Sequence, residues 1–503
     1  MQIPSVRRLL KVALITIVVV VAIGCGAFVW YFPHGLTVNF PGFSGAPMAP
    51  ATLQSRIQLP PGFAINTFAT GIDNARMLRF TPAGDLLVST SRGGKVFLLE
   101  HDANNDGVAD GQRVLLDNLN RPHGLALHDG WLYVAETDAV LRVRFDPATR
   151  QISGAPERII KSIPGGGNHF TRTLGIGPDG WLYVSIGSDC NVCIEEEPRR
   201  AAIVRYHLDG SGEQIYATGL RNAVGFDWQP GTGALYATDN GRDLLGDDFP
   251  PCEFNRIVEG GFYGWPYANG DRVPDPDYGK GHDDLIAKSI PPAHGFGAHT
   301  APLGMTFYTG STFPERYRGA AFVAEHGSWN RSHKSGYQVV ALLFDGDGAI
   351  SEEPFAAGFE RNEDVSGRPV DVAVGPDGAL YVSDDFTGSI YRIAFGSTVI
   401  AASAPTMAVA VAPTGDPLAG IDQPTRDRAT SHASALWDAS GCDSCHVAGK
   451  AGETYRPLAN LSRKYTIESL MNYLRTPQPP MPVFPFTDAG RRDLAIYLLI
   501  EHP

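Results

Sequence analysis

The stretch of this sequence with the most explicit chemistry is Cys442-Asp443-Ser444-Cys445-His446. Two thiols at this spacing can add to the two vinyl groups of one haem, and the histidine that follows then sits under the iron. Half of a zinc site is the alternative, but a second ligand pair at zinc spacing is missing nearby. Downstream, Arg475-Thr-Pro-Gln-Pro-Pro-Met481-Pro-Val-Phe places a methionine in a loop too rich in proline to continue a helix. Met481 is the candidate sixth ligand of the iron, and a Met/His pair raises the potential of a haem and suits electron transfer. The plainer reading of Met481 is a core methionine; Met471, the nearest other, lies in the helical run 467–474.

Ala429–Ala439 reads as a helix before this motif. Thr487-Asp-Ala-Gly-Arg-Arg-Asp-Leu-Ala-Ile-Tyr-Leu-Leu-Ile reads as a capped amphipathic helix after it. Helix, Cys-x-x-Cys-His, methionine loop and closing helix together resemble a small class I cytochrome c domain. The resemblance implies an all-α unit over residues 429–503, with haem c bound covalently by Cys442 and Cys445 and its iron held by His446 and Met481.

The chain is 503 residues long, which implies several domains. Its 57 glycines and 38 prolines favour short strands and turns over long helices. A net charge of −13 argues against a nucleic-acid partner, which requires clustered basic residues. Arg7, Arg8 and Lys11 precede an uncharged apolar run from Val12 to Phe32, long enough to span a bilayer at about 20 residues. Residues 1–33 are therefore expected to form a membrane anchor, with everything after it on the outer, periplasmic side of an inner membrane. A cleaved signal peptide and lipidation at Cys25 are the rivals. Covalent haem attachment on that side agrees with the same topology. Of the six cysteines, Cys190, Cys193 and Cys252 are left to form a disulfide in an oxidising compartment, in a pairing the sequence leaves open, or a redox-active dithiol.

Residues 34–52 and 397–428 are rich in Pro, Gly and Ala and read as linkers. Between them a unit recurs: an apolar strand, a turn with Pro or Gly, then a strand ending in a form of Leu-Tyr-Val. Copies begin near Met77, Gly124, Leu174, Val224, Leu303 and Val370. Six copies about 50 residues apart predict a mainly β fold, a six-bladed β-propeller over residues 53–396, closed by pairing Phe63–Thr70 with the last blade. The longer gap between the fourth and fifth copies is expected to carry an insertion. On a blade-edge turn, Asp102, Asn104, Asp106 and Asp110 with Gly107 match the front of a calcium loop; position twelve is Arg113 rather than Glu, so a polar hairpin turn is the alternative.

Propellers bind ligands at the axis, on loops leading into the innermost strands. Those positions hold Arg76, His123, His169, Arg172, Arg221-Asn222, His299 and Arg368. Arginines and histidines converging on one channel mouth suit a ligand with several carboxylates and a proton to be moved. Gly165-Gly166-Gly167 is followed by neither Lys-Ser/Thr nor a helix, which excludes a phosphate loop.

Asn168-His169 with Arg172 and the following Gly-Pro-Asp-Gly-Trp-Leu-Tyr-Val-Ser-Ile-Gly resembles the active-site segment of the PQQ-dependent sugar dehydrogenases, a family of glucose, aldose sugar and L-sorbosone dehydrogenases. Gly219-Leu-Arg221-Asn222, Thr238-Asp-Asn-Gly241-Arg242-Asp, Glu259-Gly-Gly-Phe-Tyr-Gly-Trp-Pro, His326-Gly-Ser-Trp-Asn-Arg331 and Gly367-Arg368-Pro fit as well, most closely the sorbosone branch. The likeness covers residues 53–396. It implies a propeller that binds pyrroloquinoline quinone (PQQ) and calcium. His169 matches the base that takes the substrate hydroxyl proton. Arg172, Arg221 and Asn222 match cofactor-binding positions, and Arg368 a carboxylate-binding arginine. Backbone carbonyls near Gly241 and Arg242 match the calcium ligands, although family members have Gly-Pro where this chain has Gly-Arg. Arg331 stands where the glucose enzyme carries a lysine.

The expectation is a membrane-anchored oxidoreductase. It would oxidise a sugar, sugar aldehyde or polyol with PQQ and pass electrons through haem c to a downstream acceptor of the respiratory chain. The alternative is a hydrolytic, lactonase-like or non-catalytic propeller fused to an electron relay.

Overall fold

Each copy of the repeat folds into an antiparallel sheet, and six such sheets are arranged around an axis in a computed structural model that describes residues 37–346, 348–396, 416–446, 458–459, 461–475, 481, 484 and 486–502. The expected membrane anchor (1–33) and most of the second linker lie outside the described residues. Among the described residues no helix is long and apolar enough to cross a membrane. The chain divides into one unit ending at Ala402 and a second starting at Ser403.

The innermost strands of blades 1 to 6 are Ala75–Phe80, Leu125–His128, Leu174–Ile176, Phe226–Trp228, Pro302–Phe307 and Pro369–Val374. The second strands are Leu86–Thr90, Trp131–Ala135, Leu182–Ile186, Leu235–Asp239, Ala321–Glu325 and Leu380–Asp384. Five of the six are buried at every position, because each sheet is covered on both faces by its neighbours. That is why they read as continuous apolar runs rather than alternating ones. The hydrophobic cores lie between blades: Leu87, Val96 and Leu98 of blade 1 meet Leu132, Val134 and Val143 of blade 2, and the pattern repeats around the ring. Tight turns join first and second strands, as at Asp129-Gly130, where φ is +45° and +73° and a type I′ hairpin needs both residues left-handed.

Closure is as expected: Phe63–Ala69 pairs antiparallel with Ser389–Phe395 and completes blade 6, with Phe63 opposite Phe395. The insertion is there too. It separates the third strand of blade 4, Pro251–Ile257, from its outermost strand, His294–Ala298. Within it, Gly261–Phe262 adds in parallel to the outer edge of blade 3, Gln214–Thr218.

Two expected boundaries are corrected. The described part of the expected linker 34–52, residues 37–52, is no free linker: Pro50–Arg56 is a helix with proline in its first turn, and Leu53 is buried in the core beside blades 5 and 6. The preceding segment lies on the propeller, Asn39 N–H donating to Trp329 O (2.9 Å) and Gly45 N–H to Phe386 O (2.8 Å). The expected helix at Ala429 begins earlier, at Gln423. Asp422 caps it by accepting the Thr425 N–H at 3.0 Å, and Pro424 is tolerated in the first turn.

The second unit is all-α among its described residues. Helices Gln423–Ala439, Ile467–Arg475 and Asp488–Glu501 enclose a core of Ala429, Ala433, Leu470, Leu474, Leu494 and Leu498. The last helix is capped by Thr487, whose Oγ1 accepts the Gly490 N–H at 3.1 Å. Asp443–His446 forms a short helix behind buried Cys442; His446 lies near Trp437, their ring centroids 5.9 Å apart, and Met481 packs against the core.

Candidate active site

The recurrent strand–turn–strand places the residue before each innermost strand at one end of the axis. Their electrostatic neighbours show which of them meet. His326 Nε2 is 2.8 Å from Asp385 Oδ1, and Arg76 Nη1 donates to Asp385 Oδ2 at 2.8 Å. Arg368 Nε donates to the carbonyl of that same His326 (3.1 Å) and Nη2 to Gly327 O (3.2 Å). Burial alone would raise the Asp385 carboxyl, but the His326 contact, then the guanidiniums of Arg76 and Arg368, hold it well below its usual range. His123 is fully buried between Arg76 and Arg172, and burial together with those charges keeps it neutral.

His169 is the best-defined group. Its Nδ1 is 2.8 Å from the carbonyl oxygen of Ser188 and 3.0 Å from Ser188 Oγ. A carbonyl accepts only, so Nδ1 carries the proton and Nε2 keeps its lone pair. Burial, then Arg221, Arg172 and Arg200 nearby, push the imidazole down to about 3, so it is neutral at neutral pH. Two arginines brace the loop that carries it. Arg172, 0% exposed, donates to Pro164 O, Thr171 O and His169 O, and Arg200 donates to Gly165 O and Gly166 O. The Gly165–Gly167 stretch is thus held by its carbonyls.

Arg221 leads into blade 4. Nε donates to Asn191 O, Nη2 to Asn191 Oδ1 and Asp243 Oδ2, and Nη1 to Asn240 O and Gly241 O, all within 2.9 to 3.2 Å. Of the expected calcium carbonyls, that of Gly241 is therefore turned onto a guanidinium, and Arg242 forms a buried ion pair with Asp275 and a second with exposed Asp277. The Gly241 carbonyl would have to share that contact to serve a calcium ion. At the blade-edge turn, Asp102 accepts the amides of Asp106 and Gly107, Asn104 that of Asp106, Asp106 that of Val108, and Asp110 that of Ala103. A cation there would compete with the amides that close the turn. Arg331 is tied to Asp247 O and, at 3.2 Å, to Asp248.

Several buried polar atoms have no protein partner: Asn222 Oδ1, Arg76 Nε, His123 Nε2 and Arg172 Nε. Of these, the guanidinium nitrogens are donors that suit an anionic ligand, while Asn222 Oδ1 is an acceptor that suits a donor. A flat polycarboxylate such as PQQ fits this set, with Asn222, Arg76 and Arg368 as the residues to hold it.

Sequence reasoning missed a recurring acid at the end of the second strand. Glu136, Asp239 and Asp384, all buried, accept the backbone N–H of Asn120, Asn222 and Arg368 at 2.6, 2.6 and 2.9 Å. Each carboxylate locks the loop that leads into its own blade. The signal was there in Ala-Glu136, Thr-Asp239 and Ser-Asp384 directly after each second-strand motif. The cysteine pairing is Cys190–Cys193, with Cys252 buried as a thiol that burial pushes up to about 11. Among the described residues, the one cluster at metal-ligand spacing is Asp189, Cys190, Cys193 and Glu195; a disulfide ties up both of its sulfurs.

The model of the TrAA12-like family matches residues 57–249 and 270–395. An uncharacterised protein of Borreliella burgdorferi is 31% identical over 366 residues, 70% of this chain and 94% of that protein. The pyrroloquinoline quinone-dependent pyranose dehydrogenase of Coprinopsis cinerea is 26% identical over 426 residues, which are 70% of this chain but 56% of that relative, so the chain spans about half its length. Among solved structures, the holo PQQ domain of the Coprinopsis cinerea pyranose dehydrogenase superposes with TM-score 0.60 at 22% identity, over 70% of this chain and 98% of that one. A calcium structure of a Trichoderma reesei family AA12 enzyme gives 0.59 at 21%, over 71% and 98%. At these identities the structural likeness concerns the fold.

Proposed function

Because the chain belongs to the TrAA12-like family, we propose that its propeller is a PQQ-dependent dehydrogenase that oxidises a hydroxyl of a sugar, a hydrated sugar aldehyde or a polyol. The observation that carries this reading is the neutral, oriented imidazole of His169 among Arg172, Arg200 and Arg221. A sugar hydroxyl is too weak an acid to lose its proton unaided. His169 Nε2 accepts that proton, and Nδ1–H, held by Ser188 O, shares the positive charge that develops with a fixed dipole. PQQ, when bound, supplies the hydride acceptor. Arg368 and Arg76 balance its carboxylates, and Asn222 Oδ1, which has no protein partner, accepts a hydrogen bond in the site.

The helical unit extends the reading: Cys442 and Cys445 would hold a haem c covalently, His446 and Met481 would ligate its iron, and the group would supply one-electron transfer to a downstream acceptor in the respiratory chain. The basic-then-apolar N-terminus supports an inner-membrane anchor with both units in the periplasm.

The test is dye-linked oxidation of a panel of aldoses, sugar aldehydes and polyols by the purified full chain, with PQQ added or withheld. A saturable, PQQ-dependent rate is expected. No such rate on any of the substrates would remove the reading. A pyridine haemochrome spectrum of the same preparation tests the haem.

A further inference from the structure

We propose that the disulfide-closed loop Asp189–Glu195 is the positioning element of the candidate active site, with Asn191 as the residue through which it acts. The proposal rests on the dehydrogenase reading only for what the site binds.

The loop follows the second strand of blade 3 and has no regular secondary structure of its own. Even so, the orienting contacts of two site residues pass through it or its first neighbour. On one side, Ser188 O and Oγ fix Nδ1 of His169, and Ser188 Oγ in turn donates to Cys190 O at 2.8 Å. The Asn168 N–H donates to Asp189 O at 2.7 Å, so the His169 loop is stitched directly to this one. On the other side, Asn191 supplies two acceptors to Arg221, its carbonyl to Nε and its Oδ1 to Nη2, both at 2.9 Å. The same Oδ1 accepts the Asp243 N–H (2.8 Å) and Asn191 Nδ2 donates to Asp243 O (3.1 Å). Asp243 then closes the group with its carboxylate on Arg221 Nη2. Ser188 N–H donates to Arg221 O at 2.8 Å, which links the two sides.

An irregular segment orders its side chains only if its backbone is already restrained, because each freed residue regains conformational entropy. The Cys190–Cys193 bond supplies that restraint around Asn191. Cys252, buried in another core, is no alternative partner. Cys190 and Cys193 are both half-exposed, within reach of a small dithiol. Reduction breaks the S–S bond and leaves two thiols. The two electrons and two protons come from the dithiol, which ends as its own disulfide. Once the bond is open, Asn191 loses its fixed place, and Arg221 and His169 lose their shared brace.

The experiment compares the oxidised full chain with the same protein reduced by dithiothreitol, with Cys190→Ser/Cys193→Ser, with Asn191→Ala and with Asn191→Asp. It follows PQQ affinity by titration and the His169 imidazole by NMR in the unliganded protein, and checks folding by circular dichroism. Loss of charge-assisted hydrogen bonds is expected to weaken PQQ binding at least about tenfold in the reduced, double-serine and alanine forms. The His169 titration should move up from its depressed value toward the ordinary imidazole range. Asn191→Asp, which keeps the acceptor for Arg221, should restore most of the affinity. A reduced, folded protein with the same His169 titration as the oxidised one overturns the proposal. Failure of the oxidised protein to bind PQQ would instead count against the dehydrogenase reading, and the His169 signal would still decide this one.

Discussion

His169 and Asn222 both pack against a single backbone position, Gly187. A Cβ at Gly187 would lie 2.7 Å from the Cβ of His169 and 2.4 Å from Oδ1 of Asn222. Both residues are thus packed against bare backbone, with no room for a methyl group. Gly187→Ala should displace one or both while the blade stays paired. A displacement approaching 1 Å costs on the order of 100-fold in rate, so kcat should fall by that factor with the thermal midpoint little changed. Steady-state kinetics and a melting curve check this.

The imidazole of His169 is held down to about 3 by burial and three arginines. It stays deprotonated through mildly acid pH, so kcat/KM should show no falling limb near pH 6.5 and should decline only as pH approaches that depressed value. His169→Ala should reduce kcat by about 10²- to 10⁴-fold, the usual contribution of a positioned base. A pH–rate profile of the wild type with that of the variant tests both statements.

Much of the fold can be read from the sequence because the repeat is dictated by local chemistry: apolar strand, tight turn, apolar strand. Closure by Phe63–Ala69 follows from a leftover strand at one end and a three-strand blade at the other. What was missed depends on contacts distant in sequence. The outer strand of blade 4, His294–Ala298, lies beyond an insertion, so no local pattern joins it to Pro251–Ile257. Residues 37–49 look like a linker because their tie to the propeller is a set of backbone bonds to Trp329 and Phe386. In the site, the positions of His169, Arg221 and Arg368 were legible from the repeat phase, whereas the partners of each guanidinium were not. Arg172 is expected to face the ligand, yet it braces the His169 loop, a difference fixed by three carbonyls no motif announces.

Asp371 bridges the last blade and the first: its Oδ2 accepts the Leu78 N–H at 2.8 Å, and burial pushes its carboxyl up to about 7. A group with a raised folded pKa holds its proton longer in the folded state, so stability falls as pH rises from about 4 through 7, by about 1.4 kcal/mol per unit before relaxation. Asp371→Asn, which cannot ionise, should therefore gain stability relative to wild type across that window. Urea midpoints of the two proteins at pH 5 and pH 8 provide the measurement.

Phe63 joins the closing strand to its surroundings by edge-on contacts with Phe313, Phe355 and Phe395, at centroid distances of 4.7, 4.9 and 5.0 Å. Phe63→Ala removes all three and should cost about 3 kcal/mol. Denaturant unfolding followed by tryptophan fluorescence would report it.

If Met481 is the sixth ligand, Met481→Ala should lower the haem midpoint potential and leave covalent attachment intact, because a Met/His pair favours the reduced iron. A redox titration of the purified full chain reads this directly.

The first strand of the ring to be synthesised, Phe63–Ala69, finds its partner only in one of the last, Ser389–Phe395. A chain that emerges N-terminus first must therefore keep its opening strand unpaired until nearly the whole propeller has been delivered. Such long-range pairing makes folding slow and late. The wheel can lock only after the last blade arrives, and until then every half-built ring has an open seam exposed to aggregation.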